Sequence, residues 1–146
     1  MGSTGRVIGI CVSKRRSDPK ENVGRGYIKK NMGLVGDSHA GTEKEVSLLA
    51  MESVRELSRK GGIVTYPGCF AENITTEGVE LKSLPVGAEI QVGAARLRVL
   101  GVGKDPSAPH TYSFQGYSLL REEGVFCTVV RSGRVKVGDA ITVVQD

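Results

Sequence analysis

The sequence predicts a mostly β domain, barrel-like and antiparallel, with a few short helices. Glycine accounts for 20 of the 146 residues, Trp is absent, and only three Phe and four Tyr occur. The core is therefore aliphatic, and glycine with β-branched residues favours short strands joined by tight turns. Two phrases share one pattern: Pro85-Val86-Gly87-Ala88-Glu89-Ile90-Gln91-Val92 and Lys136-Val137-Gly138-Asp139-Ala140-Ile141-Thr142-Val143. Each runs from a Val-Gly turn into an alternating strand, and Gly93 links the first to the apolar run at 95–102 as a hairpin. Strands of this kind close on one another, because closure removes exposed edges.

Composition limits the classes available. A chain of 146 residues suits one domain, expected over 6–146, after a disordered start at 1–5. A domain of this size buries enough surface to fold without a disulfide or metal staple. Its three cysteines, Cys11, Cys69 and Cys127, form no CxxC pair, so neither structural zinc nor a disulfide framework is expected. No apolar run approaches a membrane span, and no charged region followed by an apolar one marks a secretory leader. A cytoplasmic protein with reduced thiols and no membrane partner is the expectation. The net charge of +4 is mild.

In chain order, residues 6–13 read as a buried strand with Cys11 as a small core residue. Residues 14–30 are polar and read as a solvated arm, whose cations are Lys14, Arg15, Arg16, Lys20, Arg25, Lys29 and Lys30. Residues 32–41 form a glycine-rich turn that presents Asp37 and His39. Thr42 and Glu45 fit a capping box, but Val46, Leu48 and Leu49 fit a strand better, so a strand is assigned to 45–49. Met51, Val54 and Leu57 then share a helical face, and Gly61-Gly62 stops a helix at 51–60. Residues 70–76 read as a strand with Glu72 and Asn73 near its start.

The stretch 101–126 carries the densest chemistry. It leaves a buried strand at 97–102, in which Leu97 and Val99 are core positions. It holds Lys104, Asp105, His110, Tyr112, Tyr117 and Arg121, and it ends at Gly124 before a strand at 125–131 that contains Cys127. Two rigid strands flanking a polar loop is an arrangement that positions functional groups.

An ordered set of phrases then resembles a known family. They are Gly33-Leu34-Val35-Gly36-Asp37, Glu45-Val46-Ser47-Leu48-Leu49, and Pro67-Gly68-Cys69-Phe70-Ala71-Glu72-Asn73-Ile74-Thr75-Thr76-Glu77-Gly78, followed by Leu84-Pro85-Val86-Gly87, Gly101-Val102-Gly103-Lys104, Arg121-Glu122-Glu123-Gly124-Val125-Phe126 and Gly133-Arg134-Val135-Lys136-Val137-Gly138-Asp139. The set resembles the MOSC domain, named for the C-terminal part of molybdenum cofactor sulfurase, over nearly the whole chain. The resemblance implies a strand-rich barrel of the MOSC-type fold. It also implies a role around molybdenum cofactor or sulfur transfer, with a persulfide carried on a Cys, and partners among cofactor-biosynthesis proteins or pyridoxal-phosphate cysteine desulfurases. Some members reduce N-hydroxylated compounds at the cofactor's metal. In similar single-domain members an acidic residue, a Cys and a His follow the Gly-Lys pair; here Asp105-Pro106-Ser107 follows, and the expected Cys falls on Pro106.

Three functions follow as expectations. The first is a module that binds molybdenum cofactor (molybdopterin) or a related anionic pterin, in cofactor maturation, sulfur transfer or insertion. Its phosphate would meet the turn with Asp37 and His39, together with Lys104 and Arg121, and its pterin ring would meet Glu72 and Asn73. The second is a molybdenum-dependent oxidoreductase or sulfur carrier with Cys127 as thiolate, nucleophile and metal ligand, or with Cys69 as the thiolate ligand in its place. It requires nearby cations such as Arg121, Lys104 or His39 to lower the thiol pKa. Strand alternation leaves the direction of Cys127 open. The third is an anionic-ligand or nucleic-acid-binding domain that uses residues 14–30, although no nucleic-acid motif accompanies them and nucleic acid is not among the expected partners.

Overall fold

A computed structural model describes residues 4–15, 18–38, 40–41, 45–103 and 112–144. Its centre is a closed barrel of seven strands among the described residues. Their order around the wall is β1 (Thr4–Val12), β11 (Ala140–Val143), β7 (Glu89–Val92), β8 (Ala95–Val102), β9 (Val125–Arg131), β5 (Val46–Ala50) and β6 (Ile74–Glu77), which returns to β1. The β1–β11 pairing closes the ring. Neighbours are antiparallel as predicted, except that β5 and β6 run parallel. A parallel pair needs a crossover, and the helix α1 (Met51–Gly61) with the loop after it supplies one. Gly62, at φ 65°, ends α1 and donates its N–H to the Ser58 carbonyl at 3.0 Å.

The barrel is filled by alternate residues of each strand, including Leu48, Ile74, Ile90, Leu97, Val99, Val125 and Ile141. Leu97 and Val99 are fully buried, as the alternation predicts. Leu97→Ala is expected to destabilise the domain by about 2–4 kcal/mol, read from the denaturant midpoint. A midpoint shift within error would contradict this placement. A smaller cluster lies outside the wall, where Leu49, Met51, Val54, Cys69, Phe70 and Leu119 pack between α1, β5 and the short helix α2 (Leu119–Glu123).

Several boundaries differ from the sequence reading. β1 starts at Thr4, because Thr4 and Gly5 pair with Thr142 and Ile141, so these two residues are not part of a disordered start. The supposed arm at 14–30 contains β2 (Glu21–Asn22), which pairs with β1, and β3 (Arg25–Lys29). β3 joins β10 (Gly133–Lys136) and β4 (Gly33–Leu34) in a separate three-stranded sheet. β6 starts at Ile74 rather than at residue 70. The residues before it form a turn, in which Ala71 has φ 68° and donates its N–H to the Gly68 carbonyl. Gly68 itself has φ 95°, and a Cβ there would lie 2.4 Å from the Lys20 carbonyl oxygen.

Candidate functional site

The chain leaves β8 at Gly103, whose N–H donates to the Gly124 carbonyl at 2.7 Å. Gly103 has φ 73°, and a Cβ there would lie 2.8 Å from the Arg121 carbonyl oxygen. The end of β8 is thereby pressed against the backbone of α2. The chain is fixed again at Tyr112, whose hydroxyl donates to the Cys69 carbonyl at 2.9 Å. Phe114 packs edge-on against both Tyr66 and Phe70, with ring centroids 5.8 and 5.7 Å away. The polar stretch noted in the sequence therefore leaves and returns at rigid points. Lys104 and His39, two of the predicted site residues, lie outside the described residues.

A cavity of about 930 Å³ opens between α1, α2 and the end of β8. α1 contributes Ser53, Glu56, Leu57 and Lys60; the other wall holds Val102, Gly103, Tyr117, Arg121, Glu122 and Glu123. Part of its charge is neutralised internally. Glu56 accepts from Lys60 at 2.9 Å, and that pairing holds its carboxyl below the usual range. Glu123 accepts from the Ser53 hydroxyl and from Lys82, both at 2.8 Å. Arg121 and Glu122 contribute a guanidinium and a carboxylate to the same lining.

Of the predicted site residues among the described ones, only Arg121 lines this cavity. Asp37 is not presented at a turn edge. Its Oδ1 accepts from Lys20 Nζ at 2.7 Å and from the Ser13 N–H at 3.1 Å, and both charged side chains are 1% exposed. Lys20, read from the sequence as part of a solvated arm, is thus a core residue. Glu72 and Asn73 are likewise turned inward instead of toward a ligand. Glu72 Oε2 accepts from the Gly68 N–H at 3.0 Å and from the Thr75 hydroxyl at 2.6 Å. Its Oε1 is buried without a partner among the described residues, and burial raises its pKa. Asn73 Oδ1 accepts from the Ser47 N–H and hydroxyl, at 3.0 and 3.3 Å, while Nδ2 donates to the Cys11 carbonyl at 3.3 Å. The Glu-Asn phrase thus holds the turn at 67–71 and joins β1, β5 and β6.

Cys127 lies inside the barrel, opposite Val46 on β5 and Val99 on β8. It is fully buried, and burial alone pushes its thiol up to about 12. A thiolate nucleophile or metal ligand needs cations and access, and among the described residues this position has neither. Cys69 is also buried, its thiol pushed up to about 11 chiefly by desolvation. Cys11 is raised further, first by burial and then by the Glu72 charge. All three thiols are free. Among the described residues no cluster of His, Cys, Asp and Glu is arranged to hold a metal ion. No helix among them is long and apolar enough to cross a membrane.

The cavity also uses residues that the sequence reading did not select. Ser53, Glu56 or Leu57, and Lys60 recur at helical spacing beside the apolar face of α1, so their stripe was visible in the predicted helix. Tyr117 was visible only as one polar residue of the 101–126 stretch, because its place depends on the turn at 114–117 folding back.

The MOSC domain model matches residues 35–142 of the 146. No curated protein matches the chain in sequence. Among solved structures, the YuaD protein from Bacillus subtilis is 22% identical, with a TM-score of 0.76 over 96% of this chain and 95% of that one. YiiM from Geobacillus stearothermophilus is 16% identical, with a TM-score of 0.72 over 97% of this chain and 75% of that one. YiiM from Escherichia coli is 18% identical, with a TM-score of 0.63 over 98% and 70%. These likenesses establish the fold, and with the family model matching most of its length the chain belongs to the MOSC domain family.

Proposed function

We propose that this protein is a binding and carrier module for molybdenum cofactor or a related anionic pterin, held in the cavity between α1 and α2. The observation that carries the reading is that Arg121, Lys60, Tyr117 and Ser53 share one lining; Lys60 and Ser53 now donate to Glu56 and Glu123, and a bound phosphate would take the place of those carboxylates. A guanidinium and an ammonium suit a phosphate, and hydroxyls add hydrogen bonds at fixed places. A carboxylate such as Glu122 suits the N–H edge of a pterin. The organic part of the cofactor therefore fits the residues present. When bound, the cofactor supplies redox and sulfur chemistry at its molybdenum; the residues of this chain bind and orient it.

The thiolate part does not fit. All three cysteines are buried with raised pKa values, and Pro106 occupies the position where a Cys is expected. Sulfur transfer through Cys127 is therefore not part of the proposal. The partner we propose is a cofactor-biosynthesis protein that hands over or receives the intact cofactor, rather than a desulfurase that loads a thiol.

The test incubates purified protein with cofactor released from a molybdoenzyme, desalts it, and measures the retained pterin by fluorescence after oxidation. Arg121→Ala and Lys60→Ala are each expected to reduce retention by tenfold or more, while Lys29→Ala leaves it within twofold. Cyanide-labile sulfur is expected to stay at background. Equal small losses from all three variants would reject the cavity as the site.

A further inference from the structure

We infer that the outer face of the sheet β10–β3–β4 binds single-stranded nucleic acid. In β3 the side chains of Arg25, Tyr27 and Lys29 are exposed, while Ile28 between them points into the core. In β10, Arg134 and Lys136 are exposed, while Gly133 and Val135 are buried. The register places Arg134 opposite Tyr27 and Lys136 opposite Arg25, on one face. On the other side of β3, Val35 donates its N–H to the Tyr27 carbonyl at 3.0 Å, and its side chain is also exposed. Four cations therefore surround an exposed tyrosine, in a patch of roughly 10 by 13 Å from strand spacings.

Two features mark this face as more than a solvated surface. None of the four cations forms an ion pair among the described residues, as is also true of Lys14, Arg15, Lys30, Arg59 and Arg131, so no carboxylate in an ion pair neutralises this face. Arg25 and Lys136 also lie directly opposite each other, and like charges in that position are destabilising. A carboxylate at either position would relieve the repulsion. Asp139, in the turn after β10, accepts instead from the Lys136 backbone N–H at 2.9 Å.

A polyanion complements such a face, and Tyr27 indicates which kind. An exposed ring among cations offers a stacking platform for an unpaired base, with phosphates reaching the flanking Lys and Arg. Bases in a duplex do not expose their faces, so a single strand fits best. The sequence offered residues 14–30, with Arg25 and Lys29, as a nucleic-acid candidate but could not show this surface, because β10 comes from the far end of the chain from β3. It uses no residue of the cavity and does not depend on the cofactor reading.

Fluorescence anisotropy with labelled oligo(dT) and oligo(U) tests the inference. Four phosphate contacts predict a salt slope of about −3, so binding weakens roughly fifty-fold between 50 and 200 mM salt. Arg134→Ala/Lys136→Ala is expected to weaken binding at least tenfold and to flatten the slope by about 1.4. Tyr27→Ala is expected to weaken binding at least fivefold with the slope unchanged. Arg59→Ala/Arg98→Ala, two exposed arginines elsewhere, is expected to stay within twofold. The inference is overturned if that control loses as much as the face variants. It is equally overturned if Tyr27→Ala has no effect and poly-L-glutamate competes fully at equal charge, which would assign the face to an acidic protein.

Discussion

Asp37→Ala is expected to lower the unfolding free energy by about 3–5 kcal/mol, because it leaves the Lys20 ammonium buried without its carboxylate. The Asp37–Lys20 pair is 1% exposed on each side, and Lys20 Nζ also donates to the Ser13 hydroxyl at 3.2 Å. Asp37 Oδ1 also accepts from the Ser13 N–H, so one carboxylate fastens the turn after β4 to the end of β1. The cost therefore combines a stranded charge and an orphaned backbone donor. Replacing both members, as Lys20→Met/Asp37→Leu, is expected to recover most of the loss, since two apolar side chains remove the charge that needs a partner. Urea unfolding of the single and double variants measures both effects. A single variant within 1 kcal/mol of the parent would show that the pair is not buried as described.

The second large effect concerns Glu72 and pH. Burial raises its folded-state pKa above the unfolded value of about 4.3, so the folded protein holds this proton to a higher pH than the unfolded chain does. Stability falls with pH wherever the folded state binds more protons. The contribution of Glu72 is therefore fully present below about pH 4 and is lost as pH rises through its raised folded value. Glu77 and Glu89 act in the opposite direction: hydrogen bonds from Arg6 and Arg98, respectively, lead the lowering of their pKa values, so their contributions disappear on acidification. Glu72→Gln isolates the buried group. It keeps an acceptor for the Gly68 N–H and the Thr75 hydroxyl and cannot ionise. Relative to the parent, the Gln variant is expected to be nearly neutral at pH 4 and clearly more stable at pH 8, by thermal melts. A difference that does not change between these pH values would mean that Glu72 is not held neutral by burial.

These two residues illustrate where sequence reasoning reached its limit. Asp37 and Glu72 were selected as ligand contacts because a carboxylate near glycine turns has the same chemistry whether it meets a cofactor or a neighbouring strand. Their role was decided by packing. Lys20 could not be distinguished from its basic neighbours, since nothing in residues 14–30 signals that one cation turns inward. For Cys127, alternation offered two directions, and pairing with Val46 and Val99 selected the core. Arg121 stood out through a local pattern, a polar stretch that ends in a short helix before Gly124, and the fold sets it in the cavity lining.

The chain alone determined the strand-rich closed fold, the helix that follows β5, the aliphatic core and the family phrases. These depend on alternation, glycine turns and apolar spacing, which act over a few residues. Tertiary structure alone decided which polar groups are buried and which remain in contact with water. That choice depends on pairing between distant strands, and a side chain's capacity to bond is the same wherever the fold places it.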